Sequence, residues 1–220
     1  MDVRPASCFL TSDPIERLFV LLRYCLLPLS LLALLPFANA DAATKSFVGA
    51  GGRVRLSHPA NLNPTRTFSG RALMTAGWRT MWDGKPVGRG IGVARFWQIA
   101  KPRDGVGQVV EMVQIGFSRD AGVIARCGTD GAKGANGRRL PDRMLGGHRW
   151  TAYSNGDAGM SQSVAATSLR TVVEGTCYAV DRVTYSIKAA SAPSRTAPTQ
   201  AAAAAAMDGI LATVHVGRRR

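Results

Sequence analysis

Residues 18–40 form an apolar run ending in Ala38-Asn39-Ala40, and this run sets what the rest of the chain can become. No charge falls between Tyr24 and Ala40, seven of these positions are Leu, and Arg17 and Arg23 precede them. A basic flank, an apolar core and an A-x-A end make a secretory signal, read here as a signal helix cleaved after Ala40. The competing reading is an uncleaved anchor. A membrane span needs about 20 uninterrupted apolar residues, and Arg23, Pro28 and Pro36 break this one. The expectation is therefore a periplasmic or secreted protein. Residues 1–40 are its signal peptide and residues 41–220 a single exported domain, with membrane contact only through an uncleaved leader.

Export decides the cysteines. Cleavage removes Cys8 and Cys25 and leaves Cys127 and Cys177. In an oxidising compartment an even pair reads as a disulfide. A catalytic thiol, with Cys127 as nucleophile and His148 as base, would need a local signature that neither cysteine has.

The leader also leaves the charge where it was. Its basic residues Arg4, Arg17 and Arg23 are matched by Asp2, Asp13 and Glu16, so the net charge of +14 belongs to the exported part. An imbalance of that size points towards anionic partners. Its basic residues, however, are mostly arginines scattered through an Ala- and Gly-rich chain, as a GC-rich coding sequence would give. Nucleic acid is not the expected partner. An anionic envelope polymer or a protein is.

Extended segments dominate. Ser46–Leu56 reads as a first strand, and Arg71–Trp82 and Val87–Ile99 flank Asp83-Gly84 as a hairpin. Within the second arm Ile91, Val93 and Trp97 share parity and are expected on one apolar face. Glycines 88, 90 and 92 open no helix and so do not form a dinucleotide site. They mark a bend, a bulge or a close backbone approach. Gln108–Ser118 alternates, with Val109, Val113, Ile115 and Phe117 on the expected buried face beside Glu111. Val123–Cys127 reads as a short further run, residues 128–147 as an irregular Gly-rich loop, and Asn155-Gly156 as a turn. Ser161–Val173 and Thr176–Ile187 read as an antiparallel pair joined at Glu174-Gly175. Apolar residues on both faces make the second of these a central strand.

Residues 188–199 read as a surface linker before a C-terminal helix over 200–213, capped by Thr199. Met207, Ile210, Leu211 and Val214 fall at i, i+3, i+4 and i+7 and give one apolar stripe. The expected fold is α+β, an antiparallel sheet of about six to eight strands with this helix packed on it.

Catalytic motifs are absent from the sequence: there is no G-x-S-x-G, S-x-x-K, H-E-x-x-H or P-loop. His58, His148 and His215 lack metal-ligand spacing, so no metal and no cofactor is expected. The weak catalytic candidates are Asp157, Glu111 and Glu174, with Asp181 as a further carboxylate. A hydrolase acting on an envelope polymer would need two of them flanking one bond. The best anion-binding segment is the Gly-rich stretch carrying Lys133, Arg138 and Arg139. Trp78, Trp82, Trp97 and Trp150 could stack on sugars or bases, although core packing is the favoured role for Trp78 and Trp97. The leading expectation is a basic, β-rich, non-enzymatic domain that binds an envelope component or a protein, with the hydrolase as the alternative.

Overall fold

A computed structural model describes residues 43–66, 68, 89–129 and 137–218, all within the unit Ala42–Arg220. The leader, the Asp83-Gly84 hairpin with Trp78 and Trp82, and Lys133 lie outside the described residues.

The chain is mostly antiparallel β, with a C-terminal helix. Its nine described strands make two sheets, where a single sheet was expected. The smaller has the order β1-β2-β9, from Thr44–Gly49, Val54–Pro59 and His215–Val216. The larger has the order β3-β4-β8-β7-β6-β5. Its strands are Ile91–Ala100 (β3), Gln108–Ser118 (β4), Arg138–Leu145 (β5), His148–Gly159 (β6), Gln162–Val173 (β7) and Thr176–Ile187 (β8). As its two-sided apolar pattern requires, β8 is an interior strand.

The C-terminal helix α2 (Gln200–Ala212; α1 is Ala121–Ala125) begins where Thr199 Oγ1 accepts from the Ala202 amide at 3.2 Å. Met207, Ile210, Leu211 and Val214 are all buried, against Val113, Ile115 and Phe96 of the large sheet and Val54 and Leu56 of the small one. Burying each such side chain contributes about 1.5–3 kcal/mol, which is why the stripe docks inward. Trp150 joins this core, fully buried, with Nε1 donating to the Leu145 carbonyl at 3.1 Å.

Several local readings change. The register of β3 on β4 shifts between Gly92 and Ala94, and a bulge of this kind inverts side-chain parity beyond it. Phe96 therefore takes the core position, and Trp97 emerges on the opposite face with 46% of its surface exposed. Gly92 also meets the expected close approach, since a Cβ there would lie 2.5 Å from the Phe68 ring. Residues 123–125 form the end of α1 rather than an extended run, because Asp120 Oδ1 accepts from the Val123 amide and caps a helical turn. The segment read as an irregular loop contains β5, and Asn155-Gly156 lies within β6.

The turn after β6 falls instead at Met160-Ser161, with φ of 46° and 65°. Left-handed backbone at both central positions suits Asn-Gly. Met160→Asn with Ser161→Gly should stabilise the chain by about 1 kcal/mol, read as a higher midpoint in urea with an unchanged slope. Met160 is 95% exposed, so no packing is lost.

On the sheet face away from α2, Cys127 and Cys177 form a disulfide, packed with Val123 and Ala179. The bond is consistent with an oxidising extracellular compartment. Among the described residues no helix is long and apolar enough to cross a membrane.

Candidate functional site: a basic cleft at one end of the small sheet

Arg55 pairs with Val48 across β1 and with His215 across β9, which places the three in one row on the outer face of the small sheet. Its Nη1 donates to the Gly52 carbonyl at 2.9 Å, holding the guanidinium against the β1–β2 turn. Two hollows flank it. One, of about 540 Å³, is lined by Val48, Gly51, Gly52 and Arg53. The other, of about 620 Å³, is lined by His148, Val172, Glu174 and His215. Arg55 and Arg218 line both, so the hollows adjoin at these two side chains and are described together as one basic cleft.

Two glycines let the hairpin ends close on it. Gly146 has a φ of 56°, and a Cβ there would lie 2.6 Å from the Val214 carbonyl oxygen. Gly217 has a φ of 91°, and its Cβ would meet Val173 Cγ1 at 2.9 Å. Glycine alone combines that backbone with that approach.

Among the described residues the lining carries three arginines and two histidines against one carboxylate, Glu174. Arg218 Nε lies 3.9 Å from Glu174 Oε2, with both side chains well exposed. Such a pair holds little energy, so an incoming anion displaces little. Chemically the cleft suits an extended or multiply charged anion.

The carboxylates nominated for catalysis do not converge. Glu111 is buried on the face that carries α2, accepting from Arg182 Nη1 at 2.6 Å and Thr184 Oγ1 at 2.8 Å. Arg182 also donates to Asp208 of α2 at 2.9 Å, so this group ties sheet to helix. Asp157 lies on the opposite face, three strands away, roughly 14 Å at the usual strand spacing. Its Oδ1 accepts from the Ala158 amide at 2.8 Å. Glu174 sits in the cleft, at the other end of β7 from Asp157's partner Val164.

Of the anion-binding candidates, Arg138 and Arg139 open β5. Arg139 stacks on the Tyr153 ring at 5.4 Å and pairs with Asp142. Hydrogen bonds from Arg139 and then Arg149 hold the Asp142 carboxyl below the usual carboxylate range. That charge is already engaged. His58 is buried in β2 and tilted against Phe96 at 5.0 Å. Among the described residues no three His, Cys, Asp or Glu side chains gather in a metal-holding cluster.

One further constellation was not foreseen. Strand register aligns Arg95, Gln114, Asp181, Ser168, Tyr153 and Arg139 in a single polar row across all six strands, on the face away from α2. Arg95 Nε donates to Gln114 Oε1 at 3.1 Å, and its guanidinium lies 5.1 Å from the Phe68 ring centroid. Burial pulls the Arg95 pKa below the usual arginine value. Beside the row, Arg170 Nη1 donates to Asp181 Oδ1 at 2.8 Å, with both side chains almost fully buried. Among the described residues, Arg95 Nη2, Gln114 Nε2 and Asp181 Oδ2 find no hydrogen-bond partner.

No protein-family model matches the chain, and no curated protein matches it.

Proposed function

We propose that this is an exported, non-enzymatic domain whose basic cleft binds an anionic component of the cell envelope. The observation that carries the reading is the gathering of Arg53, Arg55, Arg218, His148 and His215 along two adjoining hollows whose described lining holds one carboxylate, Glu174. Residues from three separate regions of the sequence supply it, so it is more than the composition bias of a basic chain. The dispersal of Glu111, Asp157 and Glu174 supports binding over hydrolysis by paired acids, which needs two carboxyl groups within about 10 Å.

The test is titration of the purified protein with labelled inorganic polyphosphate, alongside Arg55→Ala/Arg218→Ala and a control, Arg195→Ala, on an exposed segment away from the cleft. The cleft variant should bind at least tenfold more weakly, with a shallower dependence on salt because fewer counterions are released, and the control should match the parent. Equal loss in both variants would make net charge, not the cleft, the binding determinant. Turnover of a wall polymer that disappears in Asp157→Asn or Glu174→Gln would favour the hydrolase.

A further inference from the structure

Charge alone does not describe this cleft. Val48 is 60% exposed and lines the first hollow beside Arg55, its cross-strand partner. Val172 is 49% exposed and lines the second, next to Val173 and Glu174. Each hollow thus pairs arginine with an uncovered aliphatic side chain. A soluble polyanion gains nothing from either valine, and leaving both in water is unfavourable. An amphiphile satisfies both features at once.

We infer that the occupant of the cleft is the phosphate-bearing headgroup of an anionic lipid at a bilayer surface, with Val48 and Val172 entering the apolar boundary beneath it. This rests on the reading of the cleft as an anion site and specifies its ligand class. It also adds a direct contact of the folded domain to the membrane contact expected through the leader alone. Arg55 and Arg218, shared by both hollows, sit where headgroup phosphates would lie. His148 and His215 supply further donors to phosphate oxygens. A Cβ at Gly51, Gly52 or Gly147 would meet no atom within 4 Å, so the backbone there borders open space.

The experiment is co-sedimentation of the protein with phosphatidylcholine vesicles prepared with and without phosphatidylglycerol, run beside the polyphosphate titration. The parent should bind only the anionic vesicles. Each arginine removed should weaken that binding about fivefold. Val48→Ser/Val172→Ser should weaken vesicle binding about tenfold, and polyphosphate binding by a much smaller factor. Val172→Trp should strengthen vesicle binding, which keeps the inference exposed to failure if the serine variant folds poorly. Unchanged vesicle affinity in both valine variants would overturn the lipid assignment and leave the anion cleft standing. Parent protein that binds neither vesicles nor polyphosphate would overturn both.

Discussion

Asp181→Leu should cost the folded chain about 3–5 kcal/mol, whereas Arg170→Met/Asp181→Leu together should cost little or nothing. The asymmetry follows from burial. Arg170 and Asp181 are 2% and 0% exposed, so removing the carboxylate takes an ion-pair partner from a buried guanidinium. Arg170 also donates to the Leu169 carbonyl at 2.9 Å, but that bond cannot neutralise its charge. Removing both groups eliminates the desolvation cost along with the attraction. Among the described residues Asp181 Oδ2 finds no hydrogen-bond partner, which lowers the net worth of the carboxylate further. Urea unfolding of the two single variants and the double variant gives the coupling directly. A loss below about 1 kcal/mol for Asp181→Leu would mean that water reaches the pair, and the buried row would lose its structural meaning.

That row illustrates where reading the sequence stops. Arg95, Gln114, Asp181 and Ser168 come from four strands and share a rung only through register. In sequence Arg95 and Gln114 are single polar residues inside apolar runs, as Glu111 is, while Asp181 and Ser168 stand beside other polar residues in mixed stretches. Alternation says which face a residue takes; it does not say which residues of other strands stand beside it. The β7–β8 hairpin was readable because its signal is local: Glu174-Gly175 adopts positive φ at both positions, between two long alternating runs. The C-terminal helix was readable for the same reason. Its cap and its stripe both lie within one segment of 16 residues, Thr199–Val214.

Where local signals misled, a tertiary effect outweighed them. Asn155-Gly156 has turn chemistry, but it pairs with Ala165 and Ala166 inside a long ladder, and Asn155 Nδ2 donates to Ser168 Oγ at 3.0 Å. Strict alternation puts Trp97 with Ile91 and Val93, and a single bulge at Val93, between Gly92 and Ala94, undoes it. Residues 128–147 looked irregular because glycine hid β5, an edge strand with charges and Pro141, features that guard edges against unwanted pairing. The cleft was invisible for a different reason. Arg55, His148 and His215 are unremarkable one at a time, and only the meeting of β2, the β5–β6 turn and β9 makes them neighbours.

Reducing the Cys127–Cys177 bond should lower stability by about 4 kcal/mol on the chain-entropy account of a loop spanning 50 positions. The loop contains β5, β6 and β7, three of the six strands of the large sheet, so the bond restricts the unfolded chain across half of that sheet. Two contributions can be separated. Locally, the bond fastens α1 to β8, where Val123 packs with Ala179 and the disulfide. Globally, it limits the freedom of the unfolded loop. Val123→Ala probes only the first, and should cost about 1–2 kcal/mol with the bond intact. Cys127→Ala/Cys177→Ala should cost clearly more, and should raise the urea slope, because the unfolded chain expands when the crosslink is gone. A double-cysteine variant no less stable than Val123→Ala, with an unchanged slope, would confine the bond's role to docking α1. A loss near 4 kcal/mol with a steeper slope would place most of its effect in the unfolded state, where a chain dependent on an oxidising compartment would gain it.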